Sequence, residues 1–103
     1  MQIIKKLSEM ISEEIRDADK YASCALMHKD ENPQLAETFF RLSLEEMQHM
    51  SLLHDQVTRI IEEYKRAKGE PPAAMMAVYE YLHGQHIEHA GEVKAKQMLY
   101  KGT

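Results

Sequence analysis

Cysteine occurs once in this chain, at Cys24, so no disulfide can close within it and no thiolate cluster can hold an iron–sulfur centre. Tryptophan is absent, and with only four glycines and three prolines the composition is neither fibrous nor disordered. No apolar run approaches the roughly 18 residues a membrane span needs. The opening Met1 to Leu7 leads into Glu9, Glu13 and Glu14, not into the apolar core and small-residue cleavage site of a signal peptide. Lysine and arginine number 13 against 17 acidic residues, for a net charge of -4. They are dispersed among the acids, so no basic stripe exists to meet a phosphate backbone. The expectation is a cytoplasmic protein without a nucleic-acid or membrane partner.

What is present favours helix. Apolar residues make up 44% and charged residues 29% of the chain, a soluble globular balance carried largely by Glu, Lys, Met, Leu and Ala, which are good helix formers. At 103 residues the chain is one domain, near the size at which a single core suffices and a partner helps. The fold class that follows is an all-α antiparallel bundle of three long helices.

From about Ile3 to Lys29, Ile4, Leu7, Ile11, Ala18, Tyr21 and Ala25 recur at helical spacing, with Lys5, Lys6, Glu9, Glu13, Arg16 and Lys20 mostly elsewhere. Asn32 then offers an N-cap and Pro33 a first helical residue, so a second helix begins almost at once, antiparallel to the first. It should run to Lys68, where Gly69 stops it after Lys65, Arg66 and Lys68 have met the negative end of its dipole. Glu70-Pro71-Pro72 turns the chain again, and a third helical period runs from Pro72 to about Tyr100, with Lys101, Gly102 and Thr103 expected to fray. Gly84 and Gly91 fall inside it, each costing roughly 1 kcal/mol against alanine. Either Gly84 breaks the segment, or the pair shares a face that admits another helix; we read the segment as continuous.

The chemistry gathers at Glu46-Met47-Gln48-His49. A Glu-x-x-His spacing places a carboxylate and an imidazole on one helix face, able to reach one metal ion. Leu35, Phe39, Leu42, Glu46, His49, Leu53, Val57, Ile60 and Tyr64 form a seam interrupted only by those two residues, so both are expected to point inward. Folding the hairpin about Glu31 and Asn32 sets Glu14 level with His49, and Glu14 itself interrupts the first helix's stripe between Ile11 and Ala18.

The same construction about Gly69 and Glu70 brings His49 level with His89 or Ala90, with His86 about four residues away, some 6 Å along the axis. The third helix's apolar face centres on Tyr79, His83, His86 and Ala90. His86 meets depth and face together, ahead of His83 and His89, and is taken as the residue that completes or flanks the site. Carboxylates with one or two imidazoles suit iron or manganese and also accept zinc. Burying carboxylates in a bundle is costly without a partner, and a cation removes that cost.

These residues resemble the ferritin-like superfamily, whose di-iron sites are built in four-helix bundles from inward glutamates and Glu-x-x-His motifs. Glu14 is similar to that pattern's first-helix glutamate, and Glu46 with His49 to its second-helix pair; the resemblance covers about Glu13 to Leu53. Glu80-Tyr81-Leu82-His83 formally repeats the motif but lies shallow of the main site. Half-length members of the superfamily found inside encapsulin shells pair with a second copy, and the Gly84 and Gly91 face is one candidate contact. Rubrerythrin-like relatives usually append a four-cysteine rubredoxin centre, which Cys24 alone cannot supply. The resemblance implies an iron-binding, homodimeric or larger protein, with a di-iron ferroxidase or oxidase activity in iron handling or oxidative-stress defence as the activity to test. Glu14, Glu46, His49 and His86 are the candidate ligands. The competing expectation is a metal-free oligomerisation module in which Glu14, Glu46 and His49 form a hydrogen-bonded polar layer that sets register. The methionines, Tyr21, Tyr79, His28, His54 and Cys24 read as ordinary packing or helix residues.

Overall fold

The apolar periods of the chain resolve into three helices in the computed structural model, which describes residues 2–102: α1 (Gln2–His28), α2 (Pro33–Lys68) and α3 (Ala73–Lys101). The punctuation acts as its chemistry dictates. The Asn32 side chain accepts a hydrogen bond from the Leu35 N–H at 3.3 Å, with Pro33 opening α2 behind it. Gly69 takes φ +83°, a left-handed value that side-chain-bearing residues rarely adopt, and its N–H donates to the Lys65 carbonyl. α3 runs unbroken through Gly84 and Gly91, as expected, and a Cβ at either position would meet nothing within 4 Å. No other helix among the described residues comes that close to either glycine. The expected fraying of Lys101 and Gly102 is not found: Lys101 is helical and Gly102 caps α3 at φ +80°, while Thr103 lies outside the described residues.

The bundle is 56 Å long and about 20 Å across (21 × 18 Å), and α1 is its shared element. α1 lies against α2 along their length and α3 packs beside their seam, closer to α1 than to α2, which it touches only sparsely. The core is Ile4, Ile11, Ile15 and Ala18 of α1, Val57 and Ile61 of α2, and Val93 of α3, with Leu7, Met47, Met50, Leu53, Ile60 and Tyr79 packed partly against it. Near the hairpin, the small buried residues Ala18, Ala22, Ala25 and Ala36 let the backbones come close. There a buried polar chain ties all three helices. Ser43 Oγ donates to the Ala18 carbonyl at 2.7 Å and accepts from Gln97 Nε2 at 2.9 Å. Phe40 and Tyr100 stack beside it at 4.7 Å.

α2's buried residues are Ala36, Phe40, Ser43, Val57 and Ile61, displaced by about one residue from most of the expected seam. Leu35 is exposed, and Phe39, Leu42, Leu53, Ile60 and Tyr64 are half-buried. α3 sets this offset, because it packs beside the α1–α2 seam and draws the neighbouring stripe of α2 into the core. No helix among the described residues is long and apolar enough to cross a membrane.

Candidate metal site

Two helices build the site. Glu14 stands in the middle of α1 and Glu46 and His49 one turn apart on α2, at the level that antiparallel folding about the Asn32 turn requires. One ligand atom from each of the three lies within 4.8 Å of the other two, the only such group of three His, Cys, Asp or Glu residues among those described. His49 Nδ1 is 3.5 Å from Glu14 Oε2 and 3.8 Å from Glu46 Oε2. These gaps exceed the roughly 2.7–2.9 Å of a charge-assisted hydrogen bond. They approach the roughly 3 Å that separates neighbouring ligands when each sits about 2.1 Å from one cation.

The two carboxylates stand out on separate grounds. Glu14 Oε2 is buried and has no hydrogen-bond partner, a costly state for a carboxylate oxygen. The Glu14 carboxyl, within reach of Glu46's proton, raises the Glu46 pKa to about 7; burial and the Glu14 and Asp17 charges add to this, and the His49 charge opposes it. Two acids so close do not both ionise readily. A hydrogen bond between the two carboxyls satisfies part of a polar layer, but it leaves Glu14 Oε2 without a hydrogen bond of its own. A bound cation would neutralise both carboxylates and take up the orphan oxygen. The residues present therefore fit a metal.

The site is shallower than the seam implies. The Glu14 and Glu46 side chains are 26% and 19% exposed, but His49 is 54% exposed, so it stands at the mouth of the site. The mouth faces away from α3. α1 presents Ser12, Asp19 and Ser23 to α3, and Glu14, two residues from Ser12, lies about 200° round the helix from it.

That placement corrects the position of His86. Its level along the bundle is as expected, but α3 carries it to the opposite side of α1, where its Nε2 lies 2.7 Å from Ser12 Oγ, outside the three-residue cluster. Depth followed from turn positions alone, whereas the side on which the third helix docks did not. His89 lies on the same covered flank, its Nε2 3.0 Å from Asp19 Oδ2, while Lys96 Nζ reaches Asp19 Oδ1 at 2.6 Å and Ser23 Oγ at 2.9 Å. Burial opposes ionisation of Asp19, but hydrogen bonds and charge from Lys96 and His89 overcome it and lower its pKa. His83 stacks on His54 at 4.8 Å and on Tyr79 at 5.6 Å, so His54 packs against α3. Glu80 is exposed and belongs to no ligand group.

Sequence reasoning missed the buried Ser43–Gln97 link and the Asp19–Lys96 pair. A serine or glutamine inside an apolar stripe was the available signal, but nothing local names its partner. Compared with known protein families, curated proteins and solved structures, the chain matches none.

Proposed function

We propose that the chain is a ferritin-like iron protein in which Glu14, Glu46 and His49 bind ferrous iron and hold it for oxidation by oxygen or peroxide. The observation that carries this reading is the buried, unpartnered Glu14 Oε2 facing a Glu-x-x-His pair, with one ligand atom of each residue within 4.8 Å of the others. Two carboxylates and one imidazole form a hard, mixed donor set that suits iron or manganese, with zinc as a competitor. With iron as substrate, two ferrous ions give one electron each to a peroxide, which takes two protons and leaves as water. Glu14 anchors the cation from the buried side, Glu46 releases its proton as the cation arrives, and exposed His49 closes the mouth.

Three ligands leave an iron ion open positions, and a second copy of the chain can fill them. The face around the site carries half-buried Leu7, Tyr21, Phe39, Leu42, Leu53 and Ile60, an apolar rim that supports pairing of two α1–α2 hairpins there. This face suits a four-helix arrangement better than the Gly84 and Gly91 face does, and a two-fold through it sets two Glu-Glu-His groups opposite one another.

The test is direct. Protein purified without a histidine tag is analysed for metal, titrated anaerobically with ferrous iron, then exposed to oxygen while the near-ultraviolet spectrum is recorded. Stoichiometric iron and a ferric absorbance that Glu46→Ala/His49→Ala abolishes are expected. No stoichiometric metal, with no difference between wild type and variant, returns the chain to the metal-free interaction module. Native mass measurement gives the assembly, for which a dimer or a multiple of one is expected.

A further inference from the structure

Three imidazoles gather on the side of the bundle away from Glu14, although their ring nitrogens do not converge within 4.8 Å as the ligand atoms of the carboxylate site do. Between α2 and α3 a cavity of about 230 Å³ is walled by His54, His83, His86 and Met50, with Ile11 and Ile87 among its apolar sides. No carboxylate lines it. His54 comes from α2; His83 and His86, three residues apart on α3, leave that helix from one face. The His54 and His83 rings stack with centroids 4.8 Å apart and planes 7° from parallel. His86 meets the hydroxyl of Ser12.

Imidazole nitrogens without carboxylates suit borderline cations, for which zinc, copper and nickel outrank ferrous iron and manganese. We propose that His54, His83 and His86 form a second metal site, distinct from the carboxylate site, which takes a borderline divalent cation such as zinc(II) and joins α2 to α3. Coordination turns the parallel rings of His54 and His83 about their side-chain torsions and draws His86 from Ser12, and the cavity gives them room to do so. Burial, then the charge of His54, pushes the His83 pKa below its usual value, and burial, then His83, His54 and His89, does the same for His86.

The site would also supply a link the fold has little of. α2 and α3 meet sparsely, and their buried hydrogen bond, Gln97 to Ser43, and the Phe40–Tyr100 stack both lie toward the hairpin end. A cation on the three histidines ties the two helices at the far end, and because it binds only the folded arrangement it raises the melting temperature.

The proposal is independent of iron binding, and the experiment keeps the two apart. The tag-free Glu46→Ala/His49→Ala variant, which lacks the carboxylate site, is titrated calorimetrically with zinc chloride and, in a separate metal-free sample, with cobalt(II) while visible absorption is recorded. One zinc per chain, a raised melting temperature and cobalt bands of imidazole coordination are expected. Adding His83→Gln should weaken zinc at least about tenfold, and His54→Gln, on the other helix, should do the same and stands in if the first variant folds poorly by circular dichroism. His89→Gln, whose imidazole serves Asp19, should leave zinc affinity unchanged. Absence of stoichiometric zinc in the parent variant, or an affinity indifferent to both His83→Gln and His54→Gln, overturns the site.

Discussion

The two faces of the α1–α2 layer treat their polar groups differently. On the face covered by α3, Asp19 has both His89 and Lys96, Ser12 has His86, and Ser43 bonds the Ala18 carbonyl and Gln97. On the bare face, Glu14 Oε2 is buried without a hydrogen bond, with His49 Nδ1 no nearer than 3.5 Å, and the Glu14 carboxyl raises the Glu46 pKa to about 7. Polar groups that hold a helix in place come in matched pairs, because each unmatched buried atom costs stability. The unmatched pair of carboxylates on the bare face subtracts from the stability of the metal-free chain, and it is there that a cation or a second copy has most to offer.

Removing the anchor of the bare face should have the largest effect. Glu14→Ala is expected to weaken iron by more than the roughly 10–100-fold that loss of an outer partner costs at a metal site, measured by anaerobic titration. A variant that binds as wild type does would erase the distinction between the faces.

The pH dependence of the metal-free chain tests the same asymmetry without metal. Glu46 has a folded pKa raised from 4.5 to about 7. Its contribution is therefore fully present below its unfolded pKa and is lost as pH rises through the folded value. Stability of the metal-free protein should decline between about pH 5 and pH 8, as read from urea melts. Glu14→Ala, which removes the cause, should flatten that decline.

On the covered face, Ser43→Val keeps the shape but removes both hydrogen bonds and leaves the Gln97 amide buried without its acceptor. A loss of about 1–3 kcal/mol is expected, with iron affinity unchanged; a parallel loss of iron would show that the faces are not independent. The smallest effect is expected on α3's open surface. A Cβ at Gly84 meets nothing within 4 Å, so Gly84→Ala should stabilise the chain by about 1 kcal/mol and leave the native mass of the species in solution unaltered. A lower native mass for that variant than for wild type would favour α3 over the hairpin face as the place where two copies were proposed to meet.

Much of this was legible in the residues themselves. Asn32-Pro33 and Gly69 mark the turns because a cap, a fixed φ and a positive φ are local requirements. With the turns placed, helical rise alone puts Glu14 level with His49. Lateral position was not legible. α3 has little amphipathic bias, so its sequence does not say which flank of α1 it will take, and His86 was assigned to a site from which α1 separates it. The same uncertainty shifted α2's buried stripe from Leu35, Phe39 and Leu42 to Ala36, Phe40 and Ser43.

By itself, then, the sequence determined three helices, their turns, their up-down-up order and the meeting of Glu14 with Glu46 and His49, all of which depend on spacing along the chain. Only the tertiary structure decided which face α3 covers. That choice rests on contacts between residues far apart in the chain, Ser12 with His86, Asp19 with Lys96 and Ser43 with Gln97. It leaves His49 at the mouth of an open carboxylate site and gathers His54, His83 and His86 around a separate cavity.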